Sequence, residues 1–300
     1  MFVRATTGSG TEGVQVGRFA SPFGSYAERH LTEADPFLTP PLPYSYRSVM
    51  NRWRSPGSTA GFAGWKDSPG DVDIPGAPPV WDVPYQWGAM AFGSLGPLEL
   101  RAAAMNSAPS SHPNAWAFGT EGFEKPSWVV GARWSPVPSL QIGASYDRGP
   151  WLGAQIDGVN ASPPDQPVVP PPENWRDFDQ ELIAADVAFL RGPVMVRAEV
   201  IRDRWEVPNV EGKPTEFGYS AELQSDLAAG FFAAARFGFV DFRPMESGEE
   251  WDYDVRRFEG ALGYRLSRNV GVMASGYRQL QFGGVDGDTD FVGLRLWWAF

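Results

Sequence analysis

Residues 289–300 read Thr-Asp-Phe-Val-Gly-Leu-Arg-Leu-Trp-Trp-Ala-Phe. Val292, Leu294, Leu296, Trp298 and Phe300 fall on every second position, with Gly293, Arg295 and Trp297 between them. A period of two is that of an extended strand, whose successive side chains point to opposite faces. One face is wholly apolar and the other carries the charge. A strand needs this arrangement when hydrocarbon lies on one side and polar surroundings on the other.

The same unit runs back through the chain as hairpins: Tyr85–Gly93 with Pro97–Asn106, Ser127–Trp134 with Leu140–Arg148, Glu181–Leu190 with Val194–Trp205, Glu216–Asp226 with Phe231–Phe242, and Tyr253–Leu266 with Val270–Phe282. Leu140, Ile142, Ala144 and Tyr146 alternate with Gln141, Gly143, Ser145 and Asp147. Phe217, Tyr219, Ala221 and Leu223 alternate with Gly218, Ser220, Glu222 and Gln224. Links within hairpins are short and carry turn residues, as at Ser94-Leu95-Gly96, Pro136-Val137-Pro138 and Arg191-Gly192. Links between hairpins are long and polar, as at 106–126, 149–179, 206–213 and 244–252. This regular sorting predicts an all-β, antiparallel up-and-down transmembrane barrel with short turns at one end and long extracellular loops at the other. Counting Val14–Ala20 gives about twelve strands, and Met1–Thr6 is a thirteenth whose partner is missing, so the expected range is about 12–16.

Composition narrows the classes. No apolar run approaches the ~18 residues of a membrane-spanning helix; the longest, Leu227–Ala235, has nine. The absence of cysteine excludes disulfides, thiolate metal sites and covalent haem attachment, and no cofactor is expected. A net charge of −11 argues against a nucleic-acid partner. The opening residues, MFVRATTGSG, lack the pattern of a signal peptide, so the expectation is one barrel domain over 1–300 without its signal peptide, either closed by twelve strands or short of N-terminal strands from a barrel of about 14–16.

The terminal Phe300 on its amphipathic strand resembles the C-terminal signature of bacterial outer-membrane proteins, which the barrel-assembly machinery recognises. Val14-Gln15-Val16-Gly17-Arg18-Phe19, followed by Ala20-Ser21-Pro22-Phe23-Gly24, resembles a strand-to-loop stretch of phosphate-selective-porin-type barrels. Together the resemblances imply a porin-like protein of the bacterial outer membrane, with lipid and lipopolysaccharide as surroundings and homo-oligomers open. The basic residues of that family's anion selectivity find no position-by-position match, so phosphate specificity is not carried over.

Alternation places Glu99, Arg101, Arg133, Asp147, Asp186, Arg197, Glu199, Glu222, Arg236, Arg257, Glu259, Arg265 and Arg295 on the inner wall. In a wide barrel they would line a watery channel; in a filled one they would pair and hold the wall together. Residues 21–82 are too long for an ordinary connection and hold Tyr44, Tyr46, Trp53 and Trp65, which predicts a constriction, a cap or an unrecognised hairpin. Acidic residues collect in the outer loops at Asp67, Asp71, Asp73; Asp157, Asp165, Glu173; Glu246, Glu249, Glu250; and Asp286, Asp288. There they are solvated or bind divalent cations that bridge to lipopolysaccharide. Trp81, Trp87, Trp128, Trp134, Trp205, Trp251, Trp297 and Trp298 lie near strand ends and suit aromatic girdles. His30 and His112 lie in expected outer loops without a nucleophile motif, so no enzyme is expected.

The function expected is passive diffusion of small hydrophilic solutes or ions. The alternatives are a non-conducting barrel that sheathes a partner or supports adhesion, and a soluble carbohydrate-binding β-protein.

Overall fold

The computed structural model describes all residues except 9, 31–34, 68–75, 117–122, 154–167, 170–171, 268–269, 284–286 and 299–300. Thirteen strands form one meander: β1 (Phe2–Thr6), β2 (Gly13–Ala20), β3 (Tyr85–Leu95), β4 (Leu98–Met105), β5 (Ser127–Val137), β6 (Leu140–Pro150), β7 (Asp179–Arg191), β8 (Val194–Trp205), β9 (Thr215–Asp226), β10 (Phe231–Arg243), β11 (Asp254–Arg265), β12 (Val270–Phe282) and β13 (Thr289–Trp298). Each pairs antiparallel with the strand before it, the up-and-down topology expected from the alternating loop lengths. Met1–Thr6 does find a partner, since Phe2 faces Gly17 and Thr6 faces Gly13. Among the described residues no ladder joins β1 to β13, and the sheet is open at that seam.

The two faces differ as the period of two requires. Val130, Leu223, Phe258 and Leu262 point outward and keep half or more of their surface exposed, while their neighbours Val129, Glu222, Arg257 and Ala261 are buried. Burial on the inner side comes from the chain itself. The described parts of 21–82 lie against the inner face and supply Phe23, Tyr26, Phe37, Leu42, Tyr44, Met50 and Phe62 to the buried clusters, beside wall residues Val129, Ile201, Val240 and Phe232. A pair of residues from this segment, Ser55–Pro56, forms a short ladder with Val168–Val169.

The expected tryptophan girdles are corrected in part. Trp128, Trp134 and Trp298 face outward and are exposed. Trp205 and Trp251 are fully buried, with Trp205 edge-on to Trp151 and Trp251 edge-on to Phe242. Trp81 packs on His112, and Trp297 faces inward beside Phe232. Parity decides this: Trp205 and Trp297 share a face with the inward residues Asp203 and Arg295, so their rings fill the interior.

Candidate functional site: the inner wall and its inserted segment

Most of the charged side chains placed inside by alternation contact a specific neighbour, and the neighbours sort the wall into three regions. In the middle of β8–β11 the charges are buried against the inserted segment. Arg29 makes a two-pronged pair with Glu222, at 2.9 Å to Oε2 and 2.7 Å to Oε1, and lies 3.9 Å from Asp35. Such planar fork-to-carboxylate contacts are the stronger kind of ion pair. Arg197 and Arg236 approach the same glutamate at 3.7 and 3.4 Å. Arg236 also donates to Glu259 at 2.7 Å and to the Thr39 carbonyl, and the Thr39 hydroxyl donates to Glu259 at 2.7 Å. Glu199 accepts from the Ser25 amide at 2.7 Å and the Tyr44 hydroxyl at 3.0 Å. Arg257 donates to Ser45 Oγ at 2.9 Å and to Gln279. The charges at the middle of this wall are thus paired largely from within the chain, while Glu199 Oε2 is buried without a hydrogen-bond partner.

Toward the turn end of β4–β7 the wall is more open. Glu28, at the tip of the segment, is 43% exposed and receives both Arg101 and Arg133, while Arg101 also donates to Glu99 at 3.3 Å. Burial works to raise the Glu28 pKa, but Arg133 and Arg101 outweigh it and hold this carboxyl below its ordinary range. Beside these groups lies a cavity of about 20 Å³, lined by Pro22, Gly24, Arg101, Arg133, Ser145 and Asp186 among others. That is room for about one water.

The remaining predicted residues stand apart. Asp147 is buried with the Ser127 hydroxyl as donor. Arg265 pairs with Asp226 at 2.7 Å at the turn end, and Arg295 donates to the Asp35 carbonyl at 2.8 Å. Parity could also have found Asp203 and Glu216, which share faces with Glu199 and Glu222 and are fully buried; Asp203 accepts from Gln180 at 2.6 Å and Glu216 from Trp205 Nε1 at 3.1 Å. The partners Glu28, Arg29 and Tyr44 carried no periodic signal.

At the loop end Asp252 fastens the segment, accepting from the Val49 amide at 2.8 Å and the Tyr253 amide at 2.7 Å. Burial pushes its carboxyl up to about 7 against these bonds. The two histidines are ring-packed: His30 lies by Tyr26 and Tyr85, within the inserted segment, and His112 lies between Trp53 and Trp81. Among the described residues no group of three or more His, Asp or Glu has metal-holding geometry. Of the loop carboxylates, Asp67 accepts from the Tyr253 hydroxyl, while Asp71, Asp73, Asp157, Asp165 and Asp286 lie outside the described residues.

Among solved structures, the chain is similar to outer-membrane-expressed OmpT of Vibrio cholerae, with a TM-score of 0.58 and 11% identity over 99% of this chain and 80% of that one. The fold is that of outer-membrane β-barrels. This barrel is also similar to the anion-selective porin from Comamonas acidovorans, with a TM-score of 0.52 and 10% identity over 94% of this chain and 69% of that one. A loop L8 deletion mutant of the Vibrio protein matches at a TM-score of 0.54 and 12% identity, covering 99% and 78%. No protein-family model matches this outer-membrane-type barrel, and no curated protein matches it.

Proposed function

We propose that the protein is a porin-like barrel of the bacterial outer membrane that admits ions and small hydrophilic solutes along a path narrowed by its own 21–82 segment. The observation that carries this is the inner wall. A ring of charge faces inward behind an apolar exterior, and the segment contacts that ring from β4 to β13. Of the thirteen charged residues from Glu99 to Arg295, Glu99, Arg101, Arg133 and Asp186 beside the free space at the turn end of β4–β7 are the proposed lining of the narrowest point, while those buried against the segment, such as Glu222, Arg236 and Glu259, hold it in place. Val292, Leu294, Leu296 and Trp298 present an exposed outward row for lipid and for the assembly machinery, while Phe300 lies outside the described residues. Similarity in fold to porins supports the reading. The ring packing of His30 against Tyr26 and Tyr85, and of His112 between Trp53 and Trp81, supports a non-enzyme.

The packing itself favours a second reading, a non-conducting barrel whose long loops serve a partner. Planar-bilayer recording separates the two. The full chain is expected to give small, stable steps, and a variant lacking residues 25–80, checked for heat-modifiable folding, is expected to give steps several-fold larger. Silence from both folded proteins would overturn the channel reading.

A further inference from the structure

We propose that Arg101 and Arg133 form a binding site for an oxyanion, a carboxylate or phosphate group on a small solute, and that Glu28 occupies this site as an internal ligand. The inference deepens the channel reading and rests on it for its place along the path.

The two arginines stand on adjacent strands. Glu99 on β4 faces Arg133 on β5, and Arg101 faces Gly131, so the guanidiniums are diagonal neighbours on one face. Gly131 and Gly143, the cross-strand partners of Arg101 and Arg133, add no side chain beside the guanidiniums, and Asp186, the partner of Gly143 on β7, closes the far side. Glu28 places one carboxylate oxygen on each guanidinium, Oε1 on Arg101 and Oε2 on Arg133. A bridged carboxylate of this kind is the geometry in which paired arginines take up a planar oxyanion.

Asp35, the acid of the segment nearest Arg29, is 2% exposed, whereas the Glu28 side chain remains 43% exposed on the open side of the wall. The contact is therefore at a solvent-reachable end, where exchange is feasible. The adjoining space of about 20 Å³ has room for about one water and not for a carboxylate group, so a solute gains the arginines only in exchange for Glu28. A tethered carboxylate competes at an effective concentration in the millimolar range or above, so free acetate or phosphate must be supplied at about 100 mM to displace it. With Glu28 displaced, the local balance changes from three acids (Glu28, Glu99, Asp186) against two arginines to two against two, plus the arriving anion. The tip of the segment then loses its contact with the β4–β5 wall.

Amide deuterium exchange of the 22–30 stretch in the full-length, detergent-folded barrel tests this at matched ionic strength and neutral pH. Sodium acetate and sodium phosphate are expected to speed exchange at least threefold over sodium chloride. Phosphate acting alone would assign the site to phosphate, and acetate alone to carboxylates. Glu28→Gln is expected to exchange at the fast rate already in chloride and to lose the response to either anion. Equal exchange of the unaltered protein in all three salts would overturn the proposal, as would Glu28→Gln behaving like the unaltered protein. The readout requires no conduction, so a barrel silent in bilayers with an anion-responsive tip would sink the channel reading alone. Stable conductance with an unresponsive tip would sink the anion site alone.

Discussion

Arg236 has a fully buried guanidinium between Glu222 and Glu259, with Phe37 of the inserted segment against its face at 4.1 Å. A buried charge persists only when its partners replace the lost water, and removing one partner leaves the other uncompensated at a cost of about 3–5 kcal/mol. Glu259→Ala takes away the 2.7 Å contact and also the acceptor of the Thr39 hydroxyl, while Glu222 at 3.4 Å remains. The expected loss is at the lower end of that range, about 3 kcal/mol, read as a lowered urea midpoint of the folded barrel. An unchanged midpoint would mean that Arg236 is not buried against this pair. Both members of the pair were legible in the sequence, because Arg236 and Glu259 share the parity of their strands' inner positions. Their third partner, the Thr39 carbonyl, was not, since a segment without period gives no sign of what it touches.

Glycines on the strands record where the inserted segment comes nearest. Gly218 on β9 and Gly238 on β10 are diagonal neighbours, since Gly218 faces Val240 and Ser220 faces Gly238. A side-chain carbon at Gly218 would lie 2.7 Å from Pro43 Cβ, and one at Gly238 would lie 2.7 Å from Leu42 Cβ. The pair makes a flat place in the wall on which the Leu42–Tyr44 turn rests, a close approach of the kind that strand glycine marks. Gly238→Val is expected to leave the strand intact, since valine suits an extended backbone, and to push the turn away. Faster deuterium exchange over residues 40–46 with unchanged heat-modifiability would show this; slow exchange there would contradict the contact. Strands were the most legible elements: the Tyr85–Gly93 expectation becomes Tyr85–Leu95 and Leu140–Arg148 becomes Leu140–Pro150. The inward glycines were visible as well, yet their meaning depends on a loop whose path alternation does not encode. The tryptophans erred for a related reason, because closeness to a strand end does not say which face Trp205 or Trp297 takes.

At the scale of the whole molecule, the up-and-down order followed from alternating loop lengths alone, and the wall faces followed from parity. What fills the wall did not, because residues 21–82 fold by packing against partners distant in sequence. Tyr44 meets Glu199, Arg29 meets Glu222, and Ser45 meets Arg257. These contacts make one account of the molecule: a meander of thirteen strands wrapped around its own segment, with the wall charges divided between holding that segment and lining the space it leaves. The chain has no cysteine, so an introduced pair reports on one distance without interference. Leu42→Cys combined with Gly238→Cys brings two Cβ positions within reach of a disulfide, allowing for a small outward shift of the turn. The measurement is the fraction of folded double variant that closes this bond under mild oxidation, read by mass spectrometry. Near-complete closure is the predicted result, and two thiols that stay reduced and open to a membrane-impermeant reagent would place the segment outside the barrel and contradict the account.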